Sequence, residues 1–267
     1  MAPIDDLLFR MDALLRPMRA TGDERQHFLA TYMRTTLAVK DELERGGFVD
    51  EAWTERWDIA FANLYLDALD DWNAERPVPG PWRVAFEAAN AAPRVPPIRH
   101  LLLGMNAHIN YDLPQALIQV ITDQEFDDPA LVARRSRDHE HIDAILSSRV
   151  AAEDGELKKV EQPGDRTLLD HVLTPFNRAG SKRFLKEARG KVWRNAQALS
   201  LARRRSLAEL GERLRELERR SEARVADLRR PGQVLLRLTR DGFGVSCETR
   251  DPARIGDVRS LGASVGT

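Results

Sequence analysis

Four polar side chains interrupt an otherwise apolar stretch between Pro97 and Ile121: Asn106, His108, Asn110 and Asp112. His108 and Asp112 stand four residues apart, so on a helix they project from one face, and Gln115 and Gln119 continue that line at helical spacing. An imidazole one turn from a carboxylate can share a borderline divalent metal such as zinc, or the carboxylate can orient the imidazole as a general base. A closed core hydrogen-bond network is the third use. One of the three is required, because Leu102, Met105, Ile109, Leu113, Ala116 and Val120 surround these groups, and a buried polar atom without a partner is destabilising. In a catalytic arrangement Asn106 and Asn110 could orient the substrate.

Two further clusters could contribute ligands. In Arg137–Asp143, His139 and Asp143 stand four apart and Asp138 and His141 three apart; two His–Asp pairs on packed helices could hold a two-metal site. Asp67, Asp70 and Asp71 lie at i, i+3 and i+4, a spacing that lets carboxylates share one cation and is equally that of a solvated helix end. His27, on a charged helix start, is expected to be exposed.

The elements that must position these residues are helical. Apolar spacing predicts helices over 4–19, limited by Pro17, and from Thr21-Gly-Asp-Glu to Arg45-Gly46-Gly47. A third helix capped by Asp50 runs to about Glu75, with a wide apolar surface that includes Trp53, Trp57, Phe61 and Tyr65. A short helix at 81–92 and the polar-striped helix at 97–121 follow. Asp128 with Pro129 starts another, to about 150. Residues 151–165 read as an exposed loop, 166–178 as a helix holding Asp170 and His171, and 181–229 as helix with one break. Leu207, Leu210, Leu214 and Leu217 alternate by three and four like a coiled-coil seam through which two copies could pair. Asp241-Gly242 between two β-prone runs, Val234–Thr239 and Phe243–Thr249, is the signature of a small hairpin. The reading is therefore all-α: a multi-helix, bundle-like core over 1–200, an extended helix over 201–230, and a hairpin with a mobile tail over 231–267.

Composition narrows the function classes. Lys and Arg total 41 against 42 Asp and Glu among 267 residues, so no global field draws nucleic acid. The Arg203–Arg205 and Arg219–Arg220 runs are offset by helix-spaced glutamates. A single cysteine, Cys247, excludes an internal disulfide and fits a cytoplasmic protein. The start of the chain lacks a signal-peptide pattern, and no window approaches the roughly 18 apolar residues of a membrane span. Gly-rich phosphate loops, Gly-x-Ser-x-Gly and paired-cysteine motifs are absent.

Two resemblances bear on function. Leu103-Gly104-Met-Asn-Ala-His108-Ile-Asn-Tyr-Asp112-Leu-Pro114 resembles the metal-binding helix of zinc-dependent phospholipases C and related single-strand nucleases, departing where Ala116 and Leu117 stand in place of a further histidine. More of the chain resembles the bacterial family called domain of unknown function 5995. The shared motifs are Phe61-Ala-Asn-Leu-Tyr-Leu-Asp67-Ala, Gly104 to Pro114, Asp138 with Ile142-Asp143, and Ala188-Arg-Gly-Lys-Val-Trp193-Arg-Asn-Ala196, spanning roughly 28–200. That resemblance implies Asp67, Asn106, His108, Asn110, Asp112 and Asp138 as motif residues.

Two expectations follow. In one, the chain is an enzyme acting on a small-molecule substrate. Asp67, His108, Asp112 and Asp138 converge on a divalent metal, zinc first, for hydrolysis, or His108 works without metal in a tailoring or cyclisation step of secondary metabolism. In the other, the polar cluster locks helix packing in a non-catalytic interaction protein.

Overall fold

The computed structural model describes residues 3–91, 96–160, 187, 188, 190–230 and 242–247. Helix α1 (Pro3–Thr21) buries Ile4, Leu7, Leu8, Met11, Leu15 and Met18 along one face. It continues past Pro17: a proline removes one backbone hydrogen bond, and burial of Met18 holds the last turn in place. Gly22, at φ +69°, turns the chain, and an Asp23 carboxylate accepting the Arg25 N–H leads into α2 (Gln26–Glu44).

Helix α3 (Glu51–Asn73) starts where expected, with the Asp50 side chain accepting from Trp53 N at 3.0 Å, and it fully buries Trp53, Leu66 and Leu69. Helix α4 (Gly80–Glu87) is short and runs into a 3₁₀ turn at Ala88–Asn90. Helix α5 (Pro97–Ala107), a π turn (His108–Asp112) and α6 (Leu113–Val120) together form the polar-striped element. Thr122 and Glu125 close a capping box on α7 (Asp123–Phe126). Asp128 caps α8 (Pro129–Val160) through the Ala130 and Leu131 amides. Helix α9 spans 190–205, Ser206 breaks it by capping Glu209 N, and α10 (Leu207–Arg229) follows.

The helices share one apolar core. Within it α3 packs against α6 and α1, α2 against α1, α5 and α8, and α10 against α4 and α5. The fold is all-α, as the periodicity implies, and no strand occurs among the described residues. No helix among them is long and apolar enough to cross a membrane.

Several expectations change. Residues 151–160 continue α8 and are not loop. On α10, Leu217, Val225 and Leu228 are fully buried and Leu210 and Leu214 pack on the same core, so the seam-like spacing is satisfied inside the chain; only Leu207 stays exposed. The expected helix at 166–178, with Asp170 and His171, lies outside the described residues, as do the first hairpin arm and the tail. In the second arm, residues 243–247 have no regular secondary structure and are held by side chains from the helical elements.

Candidate functional site

The π turn places the central residues. Pro114 has no N–H, and its ring crowds the carbonyl four positions earlier, so the helix widens: Leu113 N donates to His108 O, five residues back. One extra residue rotates everything downstream by about 100°. The predicted stripe consequently breaks after Asp112. Gln115 turns back to the Tyr111 carbonyl at 2.8 Å, and Gln119 is exposed.

Within the turn, His108 Nδ1 lies 2.8 Å from Asp112 Oδ2, and Trp82 on α4 donates its indole N–H to the same oxygen at 2.8 Å. Both members of the pair are buried, at 3% and 1% exposure. Five aromatic rings enclose the imidazole. Phe61 stacks on it at 3.6 Å between centroids, Tyr32 meets it edge-on at 4.7 Å, and Phe28, Tyr65 and Trp82 stand near 6 Å. Three polar atoms in this cage have no hydrogen-bond partner: His108 Nε2, Tyr32 OH and Tyr65 OH. Behind Phe28, Tyr65 and Trp82 a cleft of about 20 Å³ opens toward Arg25 and His100, room for one water-sized group. Gly104 lets the Phe28 ring lie directly on α5, since a Cβ there would overlap it.

Burial sets the protonation states. It lifts Asp112 well above the usual carboxylate range, against the opposing Trp82 hydrogen bond, and drops His108 well below the usual imidazole range. A buried charge is costly, so burial favours the neutral form of each group, and in that form the Asp112 proton would face Nδ1 with the imidazole proton on Nε2. Burial, followed by the nearby Asp58 and Asp112 carboxyls, raises the Tyr32 hydroxyl, and burial raises Tyr65, so both remain donors. Asp58 is itself buried, with Oδ2 unpartnered, and desolvation pushes its pKa to about 7.

Asn106 and Asn110, two residues out of phase with His108 and Asp112, leave the opposite face of the same element. Both Nδ2 groups donate to the Phe243 carbonyl, at 3.2 and 3.0 Å. Both therefore face residue 243 and not the histidine cage.

The other expected ligands are also placed elsewhere. The cation shared by Asp67 and Asp70 is the guanidinium of Arg10, at 2.8 and 2.6 Å, and Asp71 pairs with Arg76. Asp138 accepts the Val49 and Asp50 amides at 2.7 and 3.0 Å, tying α8 to the loop before α3. His139 packs between Trp57 and Trp193, and His141 bonds Glu42. The Asp143 side chain lies outside the described residues. His27 is half-buried, 3.0 Å from Glu24, rather than exposed. Asp67, His108, Asp112 and Asp138 thus do not form one ligand set, and no group of three or more His, Cys, Asp or Glu among the described residues could hold a metal ion. His108 Nδ1 and Asp112 Oδ2 are engaged with each other.

Sequence reasoning missed Tyr32, Tyr65, Trp82 and Asp58 as site residues. A signal existed: Phe28 with Tyr32 on α2 and Phe61 with Tyr65 on α3 repeat one Phe-x-x-x-Tyr spacing, which puts each pair on one helix face.

Fold and site together define an all-α protein with a buried His–Asp pair in an aromatic cage. The chain belongs to the family of unknown function DUF5995, whose model matches residues 4–231, so α10 lies within the family region. No curated protein and no solved structure matches it.

Proposed function

We propose that the chain is an enzyme acting on a small molecule by proton transfer at His108, with Asp112 as its positioning partner. The observation that carries this reading is the set of three unpartnered polar atoms, His108 Nε2, Tyr32 OH and Tyr65 OH, on rings that enclose one another. Each such atom costs about 1–3 kcal/mol unless something bonds it, and groups of this kind collect where a ligand binds.

Proton transfer would run in one direction through the pair. Nε2–H gives its proton to the substrate while the Asp112 proton moves to Nδ1, leaving a carboxylate that the Trp82 N–H stabilises. The substrate is small and largely apolar, because aromatic faces surround it, and those faces favour positive charge developing on it. Protonation-driven isomerisation or cyclisation, a tailoring step, fits this environment. Anything larger than a water-sized group enters only when the wall of Phe28 and Tyr65 moves aside.

The near-complete enclosure of His108 favours a second reading, in which the pair only locks α3, α4 and the π turn together. Tyr32→Phe and Tyr65→Phe separate the two. Hydroxyls kept for a ligand are dispensable for folding, so each variant should equal or exceed the wild-type stability by up to ~1 kcal/mol in urea unfolding. Wild-type protein, but not His108→Gln, should also incorporate deuterium from D₂O into small unsaturated alcohols or hydrocarbons. Loss of about 1 kcal/mol or more in both Tyr variants would mean that the hydroxyls already have structural partners, and the enzyme reading would lose its support.

A further inference from the structure

Residues 243–247 are gripped along their main chain by side chains alone. The carbonyl of Phe243 accepts from Asn106 and Asn110, that of Gly244 from Lys191 Nζ at 2.9 Å, that of Val245 from Asn195 at 3.0 Å, and that of Ser246 from Arg220 at 2.8 Å. The Phe243 and Gly244 amides donate to Glu187 Oε2 at 3.1 and 3.0 Å, Val245 N to Asn110 Oδ1 at 2.8 Å, and Cys247 N to Asn195 Oδ1 at 2.9 Å.

The two bidentate asparagines follow a strand period. Asn110 spans Phe243 O and Val245 N, and Asn195 spans Val245 O and Cys247 N, so each primary amide reproduces the donor–acceptor pair that a neighbouring β-strand would offer. Phe243, Val245 and Cys247 are buried, while Ser246 is partly exposed. Gly244 is buried as well, against Ala188 and Lys191. At Gly244 a Cβ would stand 2.9 Å from Ala188 Cα, so only glycine fits that register. This is the physics of extended-peptide capture: main-chain bonds supply affinity, while alternate pockets and one close approach supply specificity.

We infer that the face formed by Asn106, Asn110, Glu187, Lys191 and Asn195 is a binding groove for an extended peptide of the pattern large apolar–Gly–apolar–any–small, with residues 243–247 of this chain as its resident ligand. The groove side chains all lie inside the family-matched region 4–231, whereas the occupant lies beyond it. The groove recognises main-chain atoms, which any segment of the pattern carries. It is independent of the His108 cage on the opposite face of the element.

Cys247, the sole cysteine, is a built-in reporter on the intact chain. With the segment seated, Cys247 should react with a chromogenic disulfide at least about tenfold more slowly than in urea-unfolded protein, because only the opened form is accessible. A fluorescein-labelled peptide of residues 240–249 carrying Cys247→Ser should bind the full chain by anisotropy and accelerate Cys247 labelling. The same peptide with Gly244→Val should do neither. Asn195→Ala should speed labelling without added peptide, and Asn110→Gln provides a second variant should that one unfold. Three results overturn the inference: Cys247 as reactive as in the unfolded chain, no binding of the peptide at millimolar concentration, or binding that leaves Cys247 labelling unchanged.

Discussion

Replacing Asp58 with asparagine should remove a pH dependence of stability that the wild-type chain carries. Asp58 is 4% exposed, and burial lifts its carboxyl from 3.8 to about 7. Between those values the folded state holds a proton that the unfolded chain has released, so the native state binds more protons and stability falls as pH rises from about 4 to about 7, then levels off. At about 1.36 kcal/mol per pH unit, the loss between about pH 4.5 and about pH 7.5 is ~3 kcal/mol. Asparagine keeps the shape and cannot ionise. An unpaired amide costs ~1–3 kcal/mol at every pH, so the variant starts out less stable in acid and catches up toward neutrality. Urea unfolding of both proteins, at half-unit steps and followed by far-ultraviolet circular dichroism, isolates the group as the difference between the two stability curves. A difference that stays flat within about 0.5 kcal/mol across that range, against the ~3 expected, would refute the reasoning: Asp58 would then be ionised in the folded state.

Other perturbations test the packing that positions the cage. Gly104→Ala forces a Cβ into the root of the Phe28 ring, so α2 and α5 must separate; we expect a loss of ~1–3 kcal/mol and a lower Tm by calorimetry. Asp138→Ala frees the Val49 and Asp50 amides and should cost ~2–4 kcal/mol, with faster hydrogen exchange at both amides by mass spectrometry. An unchanged exchange rate would show that the carboxylate does not hold that loop. The Tyr32→Phe and Tyr65→Phe variants should be neutral or stabilising, and the peptide of residues 240–249 should speed Cys247 modification, as argued above.

The helices themselves were legible because their causes are local. Asp50 before Glu51 and Asp128 before Pro129 each satisfy an exposed amide within one turn, and apolar spacing marks the buried face of α1, α3 and α10 whatever lies opposite, whereas the break that Ser206 caps was expected without a position. The pairing of His108 with Asp112 was also legible, since both belong to one element and stand four residues apart. Pro114 is in the sequence too, but the rotation that its π turn imposes on Gln115 and Gln119 depends on how the widened helix settles against α3 and α10. Spacing could not say which partners a buried polar group finds. Asp67 and Asp138 carry the right chemistry for a metal, yet Arg10, 57 residues from Asp67, and the Val49 and Asp50 amides, 89 and 88 residues from Asp138, reach them first. Likewise the cage around His108 joins rings from α2, α3 and α4, and the grip on residues 243–247 joins asparagines from the π-turn element and α9. The sequence by itself determined where most of the described helices start and which of their faces are apolar, because those choices rest on neighbours within four positions; the extension of α8 through 151–160 was not among them. Only the tertiary structure decided which polar atoms meet, because each of those meetings is chosen by the close packing of faces that are distant in the chain.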